Sequence, residues 1–128
     1  VQFNQINQTL QTTFPFGTLT ISSNRHEGFK PIDLLVSAIA GCSKIVFTRI
    51  LEKQRIQYDS LTLQIDAVQS EDGANPLTKV SLLYTITGSD LVLEKLEKAL
   101  RLVPSNCTIM QSLHPNIEVI EQVVITRT

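Results

Sequence analysis

Hydrophobic positions change their spacing several times along the chain, and each spacing predicts an element. Residues 1–22 alternate as a strand does, around a Phe14-Pro15-Phe16-Gly17 break, with Leu19 and Ile21 on one face. That predicts a hairpin or meander. Residues 23–30 (SNRHEGFK) are a polar loop. Pro31 suits the first turn of a helix, where its missing N–H is not needed. The helix is expected to run to about Arg55, with Lys53 and Arg55 complementing its C-terminal dipole. Leu61, Leu63, Ile65 and Ala67 then alternate with polar residues, as do Val80, Leu82, Tyr84 and Ile86 across the turn at 71–76. These are two partner strands. Gly88-Ser89-Asp90 opens a second helix, capped by Ser89 or Asp90, with an apolar stripe of Val92, Leu96, Ala99, Leu100 and Val103. Glu94–Lys98 and Glu97–Arg101 sit at i, i+4 on its outer side. Pro104-Ser105-Asn106 ends it and starts a short helix from Cys107 to about Leu113, and residues 117–126 form a last strand. The order implies an α+β fold, with a mostly antiparallel sheet and a long central helix.

That central helix is apolar on nearly all sides, so it needs cover on nearly all sides. A sheet covers one face. The expected cover for the other is a second copy of the same helix, giving a homodimer. The helix is not expected to span a membrane. Its apolar run, 34–47, holds Ser37, Ser43 and Lys44. At about 1.5 Å per residue that run covers roughly 21 Å of a ~30 Å hydrocarbon core.

Composition narrows the picture further. With 128 residues, 42% hydrophobic and 18% charged, residues 1–128 read as one globular domain. The formal net charge is −1 and Lys and Arg form no block, which argues against nucleic-acid partners and anionic membrane surfaces. No Arg-led apolar segment ending in small residues opens the chain, and the expected location is the cytoplasm. Two His (His26, His114) are too few and too scattered for a structural zinc site.

The chemistry therefore rests on two thiols. Cys42 lies mid-helix in Ala-Gly-Cys-Ser, where it is either a small core hydrophobe or a nucleophile sheltered from bulk water. Cys107 follows Ser105 and Asn106, either of which is a plausible cap. In the first turn of a helix its thiolate is favoured; the plainer alternative is that it faces the core. A peroxide-reducing pair needs one thiolate to attack the O–O bond and a second thiol to convert the sulfenic acid to a disulfide.

Residues 31–42, PIDLLVSAIAGC, followed by ILEKQR at 50–55, resemble the OsmC/Ohr family of thiol peroxidases. They are most similar to a branch whose signature is roughly P-x-[ED]-L-L-x-x-A-[LI]-[AG]-G-C. PSNCT at 104–108 resembles the family's second cysteine motif. The order of elements matches from about Gly28 onward. The resemblance implies an intertwined homodimer that reduces organic hydroperoxides, with Cys42 attacking, Cys107 resolving, an external dithiol as reductant and no cofactor. Characterised peroxidases of the family pair the thiolate with an Arg held by a Glu ten residues before the cysteine. Here that position is Ile32, and the nearest carboxylate is Asp33. On a straight helix Asp33 lies half a turn away from Cys42, and it also suits the helix N-terminal dipole. Arg25 is the candidate cation. Two alternatives remain. One is a weakly active or non-catalytic relative that binds a small apolar ligand in the dimer cleft; the other is a hot-dog thioesterase with Asp33 as its acid.

Overall fold

The computed structural model describes residues 1–127. The elements run β1 (Asn4–Ile6), β2 (Thr9–Thr13), β3 (Thr18–Ile21), α1 (Pro31–Lys53), β4 (Ser60–Gln69) and β5 (Leu77–Thr87). They continue with α2 (Leu93–Arg101), α3 (Val103–Asn106), α4 (Thr108–Gln111) and β6 (Glu118–Thr126). This is the α+β class, and the chain divides into two compact units, Val1–Ser37 and the remainder from Ala38 onward.

In the first unit β1, β2 and β3 form the expected antiparallel meander. Asn7 takes the β1–β2 turn at φ 55°, a left-handed conformation that Asn tolerates better than most residues. Phe14 and Gly17 exchange both backbone hydrogen bonds across the next turn, at 2.9 and 3.0 Å. The polar loop is stitched to β3: Phe29 N–H donates to Thr20 O and Ser22 N–H to Phe29 O. Gly28 is needed there, because a Cβ would sit 2.9 Å from the Thr20 carbonyl oxygen.

The second unit holds the other sheet, in the order β4-β5-β6. β4 and β5 pair antiparallel, but β5 and β6 pair parallel, with Leu82 opposite Glu121 and Tyr84 opposite Val123. A parallel neighbour requires a crossover, and α2, α3 and α4 supply it. The core collects on β5, α2 and the start of α3, where Val80, Leu82, Tyr84, Ile86, Leu96, Ala99 and Val103 are all but inaccessible.

Two local expectations are corrected here. Neither Ser89 nor Asp90 caps α2; it starts at Leu93 behind Val92, whose aliphatic side chain offers the free N–H groups nothing. The buried Leu91 anchors the chain instead, and Arg127 donates to the carbonyls of Ser89 and Leu91. Val92 is half exposed, so the stripe of α2 begins at Leu96. The Glu94–Lys98 pair forms at 3.7 Å.

Helix α1 has 23 residues, about 34 Å at 1.5 Å per residue, so it exceeds its most apolar run. By length and composition it is long and apolar enough to cross a membrane, which removes the argument from length. Within the chain only Ile39, Ser43, Val46, Phe47 and Leu51 are buried, so it covers one face rather than all of them. Leu35 and Ile45 remain 37% and 47% exposed. Arg55 lies beyond the helix end at φ 58°, and Ile56 N–H closes back on Leu51 O at 2.9 Å. This is a left-handed C-terminal stop built on Arg rather than Gly.

Candidate functional site: a dithiol at a helix turn

Both cysteines belong to the second unit, and both are free thiols. Cys42 projects from the middle of α1, and Cys107 lies in the extended link between α3 and α4. The expected cap of the last short helix is corrected: neither Ser105 nor Asn106 fills it, because the turn breaks at Cys107 itself. Cys107 is the N-cap of α4 (φ −97°, ψ 110°), and its sulfur accepts the Met110 N–H at 3.5 Å. Asn106 turns back to donate to Leu102 O at 2.8 Å, closing α3 instead.

Cys107 faces the core, the plainer of its two expected settings, and the helix start acts on the other sulfur. Burial pushes the Cys42 thiol up, but four influences outweigh it: the Cys107 thiol as hydrogen-bond donor, the backbone N–H groups of Ile109 and Thr108, and the charge of Arg49. The net result is a lowered pKa. Cys107 moves the other way. Burial, the hydrogen bond to Cys42 and the charge of Cys42 raise it to about 11, against the Met110 and Ile109 N–H groups. The free N–H groups that open α4 thus favour a thiolate on Cys42, across the gap, while Cys107 keeps its proton. Cys42 is partly accessible and Cys107 is fully buried.

Arg49 was not singled out from the sequence. Seven residues after Cys42, it stands two helical turns along the same face, and that spacing was the available signal. A second unforeseen group begins at the residue after Cys42. Ser43 Oγ is 2.6 Å from Tyr84 Oη and donates to Glu121 Oε2 at 2.7 Å. Burial, then the charges of Glu121 and Cys107, push Tyr84 up against its hydrogen bond with Ser43. Burial likewise raises Glu121 against the Ser43 hydrogen bond.

Arg25 and Asp33 fall in the first unit, where they meet each other. Arg25 Nε and Nη2 donate to the two Asp33 oxygens at 3.1 and 3.2 Å, a bidentate pair on the surface. The Arg25 hydrogen bond holds the Asp33 carboxyl below its ordinary range, against the effect of burial, with the charges of Arg25 and Lys30 adding to it. Among the described residues no cluster of His, Cys, Asp and Glu is arranged to hold a metal.

The family model of OsmC-like proteins matches residues 24–122, a span that includes both cysteines. The chain belongs to the OsmC-like family. Solved structures agree on the fold of this OsmC-like protein. A hypothetical protein from Aquifex aeolicus is 18% identical with a TM-score of 0.86, over 99% of this chain and 95% of its own. An OsmC-like protein from Mycoplasma pneumoniae is 14% identical with a TM-score of 0.81, over 98% of each chain. An organic hydroperoxide resistance protein from Legionella pneumophila is 15% identical with a TM-score of 0.72, over 95% of this chain and 93% of its own. A comparison with curated proteins gave no significant match.

Proposed function

We propose that this OsmC-like protein is a thiol-dependent peroxidase that reduces organic hydroperoxides through Cys42 and Cys107. The observation that carries the reading is the Cys42 sulfur itself: accessible, and facing the Cys107 thiol and two backbone N–H groups that favour its anion. The Cys42 thiolate attacks the peroxide, the O–O bond breaks and an S–O bond forms. Cys42 becomes a sulfenic acid, and the alkoxide leaves as alcohol after taking a proton from solvent. Cys107 then displaces the sulfenic oxygen. The S–S bond forms and the Cys107 proton leaves with that oxygen as water. An external dithiol reduces the disulfide. A raised pKa suits Cys107 to this order, because it stays a thiol until the sulfenic acid exists.

The same reading treats residues 1–128 as one OsmC-like domain acting in the cytoplasm as a homodimer. The apolar positions that α1 leaves open, Leu35 and Ile45 among them, support a second copy as their cover. It also keeps Arg25, clamped by Asp33, as the Arg–carboxylate pair of the reaction. Arg25→Ala is expected to slow peroxide turnover.

The test is to add cumene hydroperoxide to reduced protein, count free thiols over time and map disulfides by mass spectrometry. Rapid loss of two thiols per chain into a Cys42–Cys107 disulfide, absent in Cys42→Ser, is the expected result. Thiols that stay reduced for many minutes would overturn the reading. They would favour the binding-protein alternative, which draws support from Ile32 standing where the characterised peroxidases carry Glu. Membership of the OsmC-like family weighs against the hot-dog thioesterase.

A further inference from the structure

The proposed cycle closes when an external dithiol reduces the Cys42–Cys107 disulfide, and the two sulfurs are not equivalent toward that attack. A thiolate that opens a disulfide bonds to one sulfur and expels the other. Cys107 is completely buried in the link between α3 and α4, whereas Cys42 is partly accessible on α1. A hydroperoxide must reach Cys42 for the reaction to start, so that sulfur needs a route from solvent. No step of the cycle needs such a route to Cys107.

The local backbone favours the same direction. Cys107 is the N-cap of α4, and its sulfur already accepts the Met110 N–H at 3.5 Å. That donor is held in place by the turn around it. Gln111 N–H donates to Cys107 O at 3.0 Å, and Gln111 Nε2 ties the turn to Pro104 O at 2.8 Å. A sulfur that gains negative charge here makes a stronger bond to the same N–H, because charge-assisted hydrogen bonds are the stronger kind. One consideration points the other way. Cys42 is the more acidic thiol and so the better leaving group, which would favour attack on Cys107. Access overrides it, because attack on Cys107 requires the α3–α4 link to open first.

We propose that the external reductant enters at Cys42 and that Cys107 is the thiol expelled, received by the backbone N–H of Met110. The inference rests on the dithiol reading above and adds the direction of its reductive half. The reductant thiolate attacks Cys42 Sγ and a mixed disulfide forms. The Cys42–Cys107 bond breaks, and its electron pair goes to Cys107, which then takes a proton. The second thiolate of the reductant attacks the reductant sulfur of the mixed disulfide, and that electron pair returns to Cys42. The reductant leaves as a disulfide and both protein sulfurs are reduced. Two of the influences that hold Cys107 protonated, its hydrogen bond to Cys42 and the charge of Cys42, vanish while Cys42 is bonded to the reductant.

The experiment adds glutathione, a monothiol, to wild-type protein oxidised with diamide. Samples are quenched with acid at short intervals, free thiols are blocked with N-ethylmaleimide and the labels are mapped by mass spectrometry. Glutathione on Cys42 and maleimide on Cys107 is the expected result; the reverse overturns the proposal. If the mixed disulfide recloses before the quench, single-thiol variants decide. Treated with glutathione disulfide and compared per thiolate, Cys107→Ser should take up glutathione at Cys42 at least about tenfold faster than Cys42→Ser does at Cys107. Equal rates, or the opposite order, overturn the proposal equally. Peroxide turnover is measured on the same wild-type preparation. Failure there with glutathione on Cys42 removes the peroxidase reading and leaves this one standing; turnover with glutathione on Cys107 removes this one alone.

Discussion

Replacing Cys107 by Ala tests the division of labour between the two sulfurs. The substitution deletes the S–H that leads the influences favouring the Cys42 anion. A hydrogen bond to a charged group contributes about 1.5–3 kcal/mol. Cys42 is partly accessible, so water takes up part of that role, and about 1 kcal/mol is a reasonable remainder. At about 1.4 kcal/mol per pKa unit this raises the Cys42 midpoint by about 0.7 unit, roughly a fivefold loss of thiolate below the midpoint. The assay is the pH dependence of the thiolate absorbance near 240 nm, measured with and without Cys42→Ser to isolate the Cys42 contribution. Cys107→Ala also removes the acceptor for the Met110 N–H. Cys107→Ser therefore serves as the control, because its hydroxyl keeps both the donor and the cap and should leave the midpoint near that of the wild type. A Cys107→Ala midpoint at or below the wild-type value would falsify the claim that Cys107 is a proton donor to Cys42.

Arg49→Ala should raise the Cys42 midpoint by less than Cys107→Ala does, and the difference should shrink in 1 M salt, where the screening length is about 3 Å; an effect independent of salt would refute a charge interaction. Stability should have an alkaline limb. Cys107 is raised in the fold to about 11, so its contribution is complete below the unfolded value and fades as pH climbs toward 11. The full loss is up to about 2–3 kcal/mol. Denaturant unfolding at pH 8 and pH 11 measures it, and the limb should weaken in Cys107→Ala. Phe47 is fully buried with its ring centroid 4.7 Å from that of Tyr84, so Phe47→Ala should cost about 3–5 kcal/mol; a loss below about 1 kcal/mol would mean the pair is not part of the core.

The strands and both long helices were legible because each repeats its apolar positions at a local period. The Val80, Leu82, Tyr84 and Ile86 alternation became β5, and the run from Pro31 became α1. What local periods do not carry is partner choice. Nothing in residues 117–126 says that β6 joins β5 in parallel, because either direction satisfies the same alternation. The Cys42–Cys107 meeting and the Ser43–Tyr84–Glu121 chain join residues distant in sequence, and only the fold brings them together. One signal was available in principle. Glu121 occupies the same strand face as Val119 and Val123, and a carboxylate in an inward register is a buried acid in need of a partner. The cap of α4 was misread because Ser and Asn are the usual capping residues and Cys is not.

Cys42 and Cys107 stand 65 residues apart, and the stretch between them carries β4, β5, α2 and α3. A bond between the sulfurs would tie most of the second unit into one covalent ring. Closing a ring of that size takes about 4 kcal/mol of disorder away from the unfolded chain. The oxidised molecule would then be the sturdier and the reduced one the more fragile, a difference that paired urea titrations would expose. On the proposed peroxidase reading, each turn of the cycle would end with an outside thiol undoing a brace that the rest of the fold had reason to keep.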